Sequence, residues 1–173
     1  LNNAGNTMLT RRGFFGVVKV LTVPEDGVVL MQHGSTTHGA QYVTEAGTPT
    51  PITYYNEATP IGQAFTLLAD RAETIGVVGL GAGAVACHAR PGQSFTYYEI
   101  DPLVVDIAKD PAYFTYLSSC TPDADIKLGD ARITLGDAPE NAYDLLLLDA
   151  FSSDAIPIHL LTREAMALYL SRM

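Results

Sequence analysis

The pattern of apolar residues changes near residue 59. Before it, short stretches rich in β-branched and aromatic residues alternate with turn residues such as "PEDG" (24–27) and "HGSTTHG" (33–39). Such stretches favour strands, and Gly, Pro and Asp favour the turns between them. The expected strands are "GFFGVVKVLTV" (13–23), "GVVLMQ" (27–32) and "AQYV" (40–43). We therefore predict a small N-terminal β-hairpin domain over residues 1–58.

From residue 59 to 173, predicted strands and helices alternate. Thr59-Pro60, Asp101-Pro102 and Thr162 are helix-start signals, since each places a capping side chain before a helical pattern. The strand stretches are "TIGVVGL" (74–80), "SFTYYEI" (94–100), "ADIKLGDA" (124–131) and "YDLLLLDA" (143–150), and "GAGAVACHAR" (81–90) predicts a helix after the first. This alternation predicts an α/β fold with a Rossmann-type parallel sheet covered on both faces. We assign residues 59–173 to a nucleoside-binding domain.

No strand pattern follows the helix that Thr162 opens. A Rossmann sheet of the methyltransferase-like kind adds further strands there, including a neighbour for the "LLLL" strand. An unpaired apolar edge is a liability that proteins cover by association. We therefore expect C-terminal strands to be missing from this chain, or a homo-oligomer that covers the edge.

Composition narrows the classes of partner. The 173 residues carry a formal net charge of -9, which argues against nucleic acid and suits a cationic ligand. The longest apolar runs are far shorter than the roughly 18 residues of a membrane span. Two cysteines without a CxxC pair, and an N-terminal stretch without signal-peptide features, predict a cytoplasmic location.

Candidate binding residues follow the predicted strands, where open parallel sheets bind ligands. Gly79, Gly81 and Gly83 lie where the first strand turns into a helix, and with Ala84 they satisfy the dinucleotide pattern GxGxxG/A. Three acids end the next strands, and they are Glu99, Asp130 and Asp149. An acid after the second strand can accept both hydroxyl hydrogens of a ribose, and one after the third can accept an adenine amino group. Together they predict a nucleotide or nucleoside site.

Six motifs resemble the spermidine synthase (polyamine aminopropyltransferase) family, and within it the bacterial domains that are often fused to membrane transporter segments. The motifs are "HGSTTHGAQ" (33–41), "YYNEATPIG" (54–62), "VVGLGAGA" (77–84), "YEIDP" (98–102), "GDAR" (129–132) and "LDAFSSDAIPIHLLT" (148–162). The resemblance implies decarboxylated S-adenosylmethionine as co-substrate and a small cationic amine, such as putrescine, as acceptor. It places the ribose on Glu99 and the adenine on Asp130 with Ala131.

The resemblance also implies roles at the reacting end. Asp149 is the expected catalytic carboxylate. An alkylammonium must lose a proton before its nitrogen can attack a carbon beside a sulfonium, and a carboxylate can accept that proton. Asp154 is the candidate anchor for the far end of a diamine. Gln41, Tyr55 and His38 are the remaining candidates for acceptor binding.

Two departures from the family pattern leave alternatives open. The family's glycine loop "GGGDGG" contains an acid for the donor's amine, whereas this chain reads "GLGAGA"; and Pro51-Ile52 stand where the family has an acidic pair. The missing loop acid favours ordinary S-adenosylmethionine and a methyltransferase reading. A third reading is a non-catalytic domain that binds nucleosides or polyamines. The four histidines show no metal-ligand spacing, so we expect no metal.

Overall fold

The computed structural model describes residues 5–43, 47–68, 70–151 and 156–173. Its N-terminal part is an antiparallel sheet with strand order β1-β2-β3-β4. The strands are β1 (Asn6–Gly13), β2 (Gly16–Val23), β3 (Val28–His33) and β4 (Thr36–Tyr42). The predicted hairpin of β2 and β3 is present, with the turn at "PEDG".

Three details of this sheet differ from the prediction. Strand β1 was not predicted, because its burial pattern shows an edge strand whose side chains are mostly exposed, and such a strand has no apolar alternation. Gly13 ends β1, and residues 14–15 form the turn to β2 rather than the start of a strand. The stretch "HGSTTHG" contains only a short turn at Gly34, because β3 continues to His33 and β4 begins at Thr36.

The second sheet is parallel and has the strand order β7-β6-β5-β8. Its strands are β5 (Thr74–Val78), β6 (Ser94–Glu99), β7 (Asp125–Leu128) and β8 (Leu145–Leu148). The chain adds strands to one side of β5 and then crosses back to the other, so the order reverses beside β5. The predicted α/β class with a Rossmann-type parallel sheet is confirmed, and the reversal beside β5 is the place where such sheets bind ligands.

Helices cover the second sheet. They are α1 (Pro60–Leu68), α2 (Pro102–Lys109), α3 (Tyr116–Cys120), α4 (Ala131–Thr134) and α5 (Arg163–Arg172). Asp101 caps α2 and Thr162 caps α5 through side-chain hydrogen bonds, as their sequence positions predict. The helix expected after the glycine loop is only a short 3₁₀ helix, Ala84–His88. Its first hydrogen bond runs from Ala86 N–H to the carbonyl of Gly83, which has a left-handed backbone conformation.

The two sheets share one hydrophobic cluster. It contains Val18 and Met31 from the first sheet and Val77 and Tyr97 from the second, all fully buried. Two polar contacts join the same parts: Ala82 N–H donates to the carbonyl of His38, and Tyr116 Oη donates to the carbonyl of Ala40. The N-terminal sheet therefore sits against the glycine loop.

Strand β8 lies at one edge of the parallel sheet within the described residues. The division at residues 58 and 59, the missing C-terminal strands and the homo-oligomer remain predictions. No helix in the described ranges has the length and apolarity required to cross a membrane.

Cys87 and Cys120 form a disulfide, which the sequence did not predict. It links the 3₁₀ segment after the glycine loop to the end of α3. Disulfides persist mainly in oxidising compartments. The cytoplasmic location was predicted partly from the cysteine pattern, and it remains a prediction.

We expect the disulfide to stabilise the fold by about 3 kcal/mol, since it closes a loop over a sequence separation of 33 residues in the unfolded chain. Urea unfolding of the oxidised protein, the reduced protein and the Cys87→Ser/Cys120→Ser variant measures this effect. The reduced protein and the double variant should share one lower midpoint. Equal midpoints for the oxidised and reduced proteins would contradict the expectation.

Candidate functional site

One cavity lies beyond the carboxyl ends of β5, β6, β7 and β8, under the tip of the β1–β2 hairpin. Its lining includes the glycines at 79 and 81, the acids Glu99, Asp130 and Asp149, and His38 from the first sheet. Parallel strands bring their carboxyl ends to one edge, so residues far apart in the sequence meet here. The structure thus gathers most of the predicted site residues in one place.

The glycine loop needs its glycines for two separate reasons. Gly79, Gly81 and Gly83 all have positive φ angles, of 96°, 53° and 85°. A Cβ on Gly79 would also lie 2.3 Å from the carbonyl oxygen of Asp149, and one on Gly81 would lie 2.4 Å from the carbonyl oxygen of His38. The loop is therefore pressed against the end of β8 on one side and against β4 on the other. Gly83 packs on Leu117 instead and is not part of the cavity lining.

Glu99 is buried at the end of β6, and the backbone holds both of its carboxylate oxygens. Leu80 N–H donates to Oε2 at 3.0 Å, and Asp101 N–H donates to Oε1 at 2.9 Å. Burial raises the pKa of Glu99, and these backbone hydrogen bonds act in the opposite direction. The carboxylate is therefore fixed beside the glycine loop by backbone N–H groups.

Asp130 caps α4 at the end of β7. Its Oδ1 accepts a hydrogen bond from Arg132 N–H at 2.8 Å, and Ala131 is buried beside it. Its Oδ2 lies 3.2 Å from His159 Nε2. Asp130, Ala131 and His159 all line the cavity, so this acid is held at the mouth of the site between a helix start and an imidazole.

Asp149 follows β8 directly and is bonded to a tyrosine of the N-terminal part. Tyr55 Oη donates to Asp149 Oδ2 at 2.5 Å. Burial raises the pKa of Asp149, whereas this hydrogen bond lowers it. The pKa of Tyr55 is raised well above its usual value, by burial first and then by the Asp149 charge, so Tyr55 stays protonated and acts as the donor.

The other acceptor candidates are placed differently. The side-chain amide of Gln41 forms two hydrogen bonds with Thr115. Gln41 Oε1 accepts from the backbone N–H of Thr115 at 2.8 Å, and Gln41 Nε2 donates to Thr115 Oγ1 at 2.8 Å. Gln41 does not line the cavity. His38 does, and burial lowers its pKa, helped by the nearby His33. Asp154 lies outside the described residues.

The cavity residues that were not predicted as site residues include Phe15, His33, Asp101 and His159. Phe15 and His33 come from neighbouring turns of the first sheet, and His33 Nε2 lies 2.8 Å from the carbonyl oxygen of Phe15. Their place over the cavity depends on how the two sheets pack, which no local motif specifies. For Asp101 and His159, position inside the motifs "YEIDP" and "AIPIHLLT" was the available signal.

Across residues 5–43, 47–68, 70–151 and 156–173, no group of three or more His, Cys, Asp or Glu side chains could hold a metal ion. The acids of the cavity are instead held singly, by backbone N–H groups, by Tyr55 and by His159. The carboxylates therefore present hydrogen-bond acceptors and negative charge to a ligand.

The fold is a Rossmann-type α/β fold, and its cavity places three carboxylates at the carboxyl ends of the parallel strands. No protein-family model matches the chain. A polyamine aminopropyltransferase of Vibrio vulnificus (strain CMCP6) is 37% identical over 97 residues, which cover 53% of this chain and 31% of the relative. The match therefore spans about a third of that enzyme.

Solved structures show the same fold over nearly the whole chain. A probable spermidine synthase from Corynebacterium glutamicum ATCC 13032 superposes with a TM-score of 0.75 and 16% identity, over 95% of this chain and 60% of the other. The spermidine synthase from Thermotoga maritima gives 0.72 and 16%, over 97% and 54%. A spermidine synthase in complex with the transition-state analogue AdoDATO gives 0.67 and 14%, over 97% and 55%. The predicted resemblance to spermidine synthases is confirmed.

Gly79→Ala should lower the free energy of unfolding by about 2–3 kcal/mol and weaken nucleoside binding, because the added methyl group meets the backbone of Asp149 at an already unfavourable φ. Urea unfolding and ligand titration measure the two effects. Gly92→Ala is the matched control: its φ is 91°, and no atom lies within 4 Å of the added Cβ. A Gly79→Ala variant no less stable than Gly92→Ala would contradict the close contact.

Proposed function

We propose that this chain carries the active site of a spermidine synthase-like aminopropyltransferase. It would transfer the aminopropyl group of decarboxylated S-adenosylmethionine to a small cationic amine such as putrescine. The observation that carries the proposal is the Tyr55–Asp149 hydrogen bond, which sets a half-buried carboxylate in the cavity that also contains Glu99 and Asp130. The homologous relative and the structural neighbours support the same reading.

We infer the position of the nucleoside from the order of the acids along the sheet edge. Glu99 would accept hydrogen bonds from the ribose hydroxyls, and Asp130 with Ala131 would hold the adenine. Gly79 and Gly81 allow the backbone to approach the ligand, since no side chain stands between. The sulfonium would then lie toward Asp149, at the neighbouring strand end.

The transfer is a displacement at carbon. The acceptor nitrogen attacks the methylene group beside the sulfonium, a C–N bond forms, and the C–S bond breaks with its electron pair going to sulfur. The products are an alkylated amine and a neutral thioether, 5'-methylthioadenosine. Asp149 takes the proton that the ammonium must lose, and its position close to both reactants supplies much of the remaining rate.

Tyr55 tunes this base. Its hydroxyl occupies one oxygen of Asp149 and lowers the pKa of the carboxyl against the larger effect of burial. The pKa of Asp149 stays above that of an exposed aspartate, because the effect of burial is the larger one, so its carboxylate is the more basic. Such a carboxylate can hold an ammonium and receive its proton in the transition state.

The glycine loop supports a second candidate, transfer of a methyl group from ordinary S-adenosylmethionine. Ala82 occupies the place of the loop acid in the family pattern, is 1% exposed and packs against Gly39. No carboxylate can reach the donor's amine from this position. A carboxylated methionine tail is therefore tolerated better here than in the family pattern.

The setting of the whole protein is also proposed. We propose a cytoplasmic homo-oligomer that does not bind nucleic acid. We also propose that the parent protein of this domain is fused to a membrane segment. Asp154 and His38 remain the proposed contacts for the acceptor. The proposed role of Gln41 has to be reconciled with its contact to Thr115, which occupies both ends of its amide.

Calorimetric titration with decarboxylated S-adenosylmethionine, S-adenosylmethionine and 5'-methylthioadenosine tests the donor. We expect the decarboxylated donor and the thioadenosine product to bind tightest. A preference for the carboxylated donor would move the assignment to methyl transfer, and a failure of all three to bind would refute the nucleoside site.

Asp149→Asn should keep nucleoside binding while product formation from the decarboxylated donor and putrescine falls by about 10²–10⁴-fold, the usual contribution of a general base. Chromatographic detection of 5'-methylthioadenosine measures turnover. Asp144→Asn, which alters the carboxylate at the opposite end of β8, is the matched control. Equal turnover of the wild type and Asp149→Asn would remove Asp149 from the mechanism.

The pH dependence of kcat/KM tests the role of Tyr55. Asp149 must be ionised, so activity should fall as the pH drops through its raised pKa. Tyr55→Phe removes the hydrogen bond that lowers this pKa, so the acid limb of the profile should move to higher pH. Tyr54→Phe keeps the Tyr55–Asp149 contact and should leave the limb in place. An acid limb unmoved by Tyr55→Phe would show that the hydrogen bond does not tune the base.

A further inference from the structure

A short 3₁₀ turn, Ile158–Leu160, returns the chain to the cavity after β8. Leu160 is buried, and its carbonyl oxygen accepts a hydrogen bond from Tyr169 Oη of α5 at 3.1 Å. His159 stands between two anchored neighbours, since Leu160 N–H donates to the carbonyl of Pro157 and Leu161 N–H donates to the carbonyl of Ile158, both at 2.9 Å. The backbone of His159 is therefore fixed, although its side chain is 47% exposed.

The side chain of His159 contacts the acid proposed to bind the adenine. Its Nε2 lies 3.2 Å from Asp130 Oδ2, while Arg132 N–H already occupies Oδ1 at 2.8 Å. An ionised carboxylate can only accept, so the contact is attractive when His159 carries a proton on Nε2. A second contact runs in the opposite direction, from Arg132 Nη1 to the carbonyl oxygen of His159 at 3.3 Å.

This arrangement fixes what Asp130 can offer a ligand. The helix start holds one oxygen and the imidazole holds the other, so the carboxylate cannot rotate freely, and its remaining lone pairs are all acceptors. A 6-amino group on a purine brings a donor to them, whereas a 6-oxo group brings another acceptor. A site built around a buried or fixed polar group discriminates mainly through such mismatches.

We propose that His159 is a positioning residue that orients Asp130 as a hydrogen-bond acceptor and makes the site select 6-aminopurine nucleosides over 6-oxopurine nucleosides. This inference rests on the proposed nucleoside site. The contact is partly exposed, so its contribution to stability is small, as for other exposed ion pairs. The main effect of the His159–Asp130 contact is on the relative affinity for the two classes of nucleoside.

The test is calorimetric titration of the whole chain with 5'-methylthioadenosine and 5'-methylthioinosine, which differ at the purine 6-position. The wild type should prefer the adenosine compound. His159→Ala should reduce the ratio of the two affinities by roughly three- to tenfold, the size of one neutral to charge-assisted hydrogen bond. His159→Gln, whose amide can still donate to Asp130, should restore part of the ratio.

Ile158→Ala is the matched control, because it truncates a side chain of the same turn that is 84% exposed and does not line the cavity. Its affinity ratio should equal that of the wild type. A purely structural role for His159 would weaken both ligands equally in His159→Ala and leave the ratio unchanged, and that result overturns the inference.

The same titration separates the two proposals. If the wild type binds neither nucleoside, the proposed function and this inference both fail. If the wild type prefers the adenosine compound and His159→Ala keeps that preference in full, only the inference fails. Thermal unfolding of His159→Ala and His159→Gln establishes that the compared variants are folded.

Discussion

The close approach of two backbone segments, at Gly79 and at Asp149, is the contact on which the rest of the site depends. A side chain on Gly79 would overlap the carbonyl of Asp149. The hydrogen bond from Asp149 N–H to the carbonyl of Val78, at 2.8 Å, extends the β5–β8 pairing to this point. Asp149 and the glycine loop are therefore positioned by the same pair of neighbouring strands.

Burial of two carboxylates at this edge has an energetic cost. The pKa values of Glu99 and Asp149 are both raised, chiefly by burial, so the folded state holds their protons more tightly than the unfolded chain does. Their contribution to stability is complete at pH values below the unfolded pKa. It is lost as the pH rises through the folded pKa. Such perturbed pKa values are typical of groups used for binding or chemistry.

Much of this site could be predicted because its residues follow strands. Glu99, Asp130 and Asp149 each end an apolar stretch, and parallel strands bring their carboxyl ends together whatever the details of packing. Capping by Asp101 and Thr162 could also be predicted, because each side chain bonds to the helix that directly follows it in the sequence. The Gln41–Thr115 contact and the Cys87–Cys120 disulfide were not predictable in this way. Each joins residues of different elements, and their pairing depends on how those elements pack.

The strand connections also set the order in which structure can form. In the first sheet every pair of neighbouring strands is consecutive in the chain, so each loop to be closed is short. Strand β8 instead pairs with β5 across about seventy residues, as in the register of Leu145 with Ile75. Closing a long loop costs more conformational entropy and slows the step that closes it. The contacts of Asp149 with the glycine loop and with Tyr55, 94 residues away in the sequence, therefore depend on that long-range pairing.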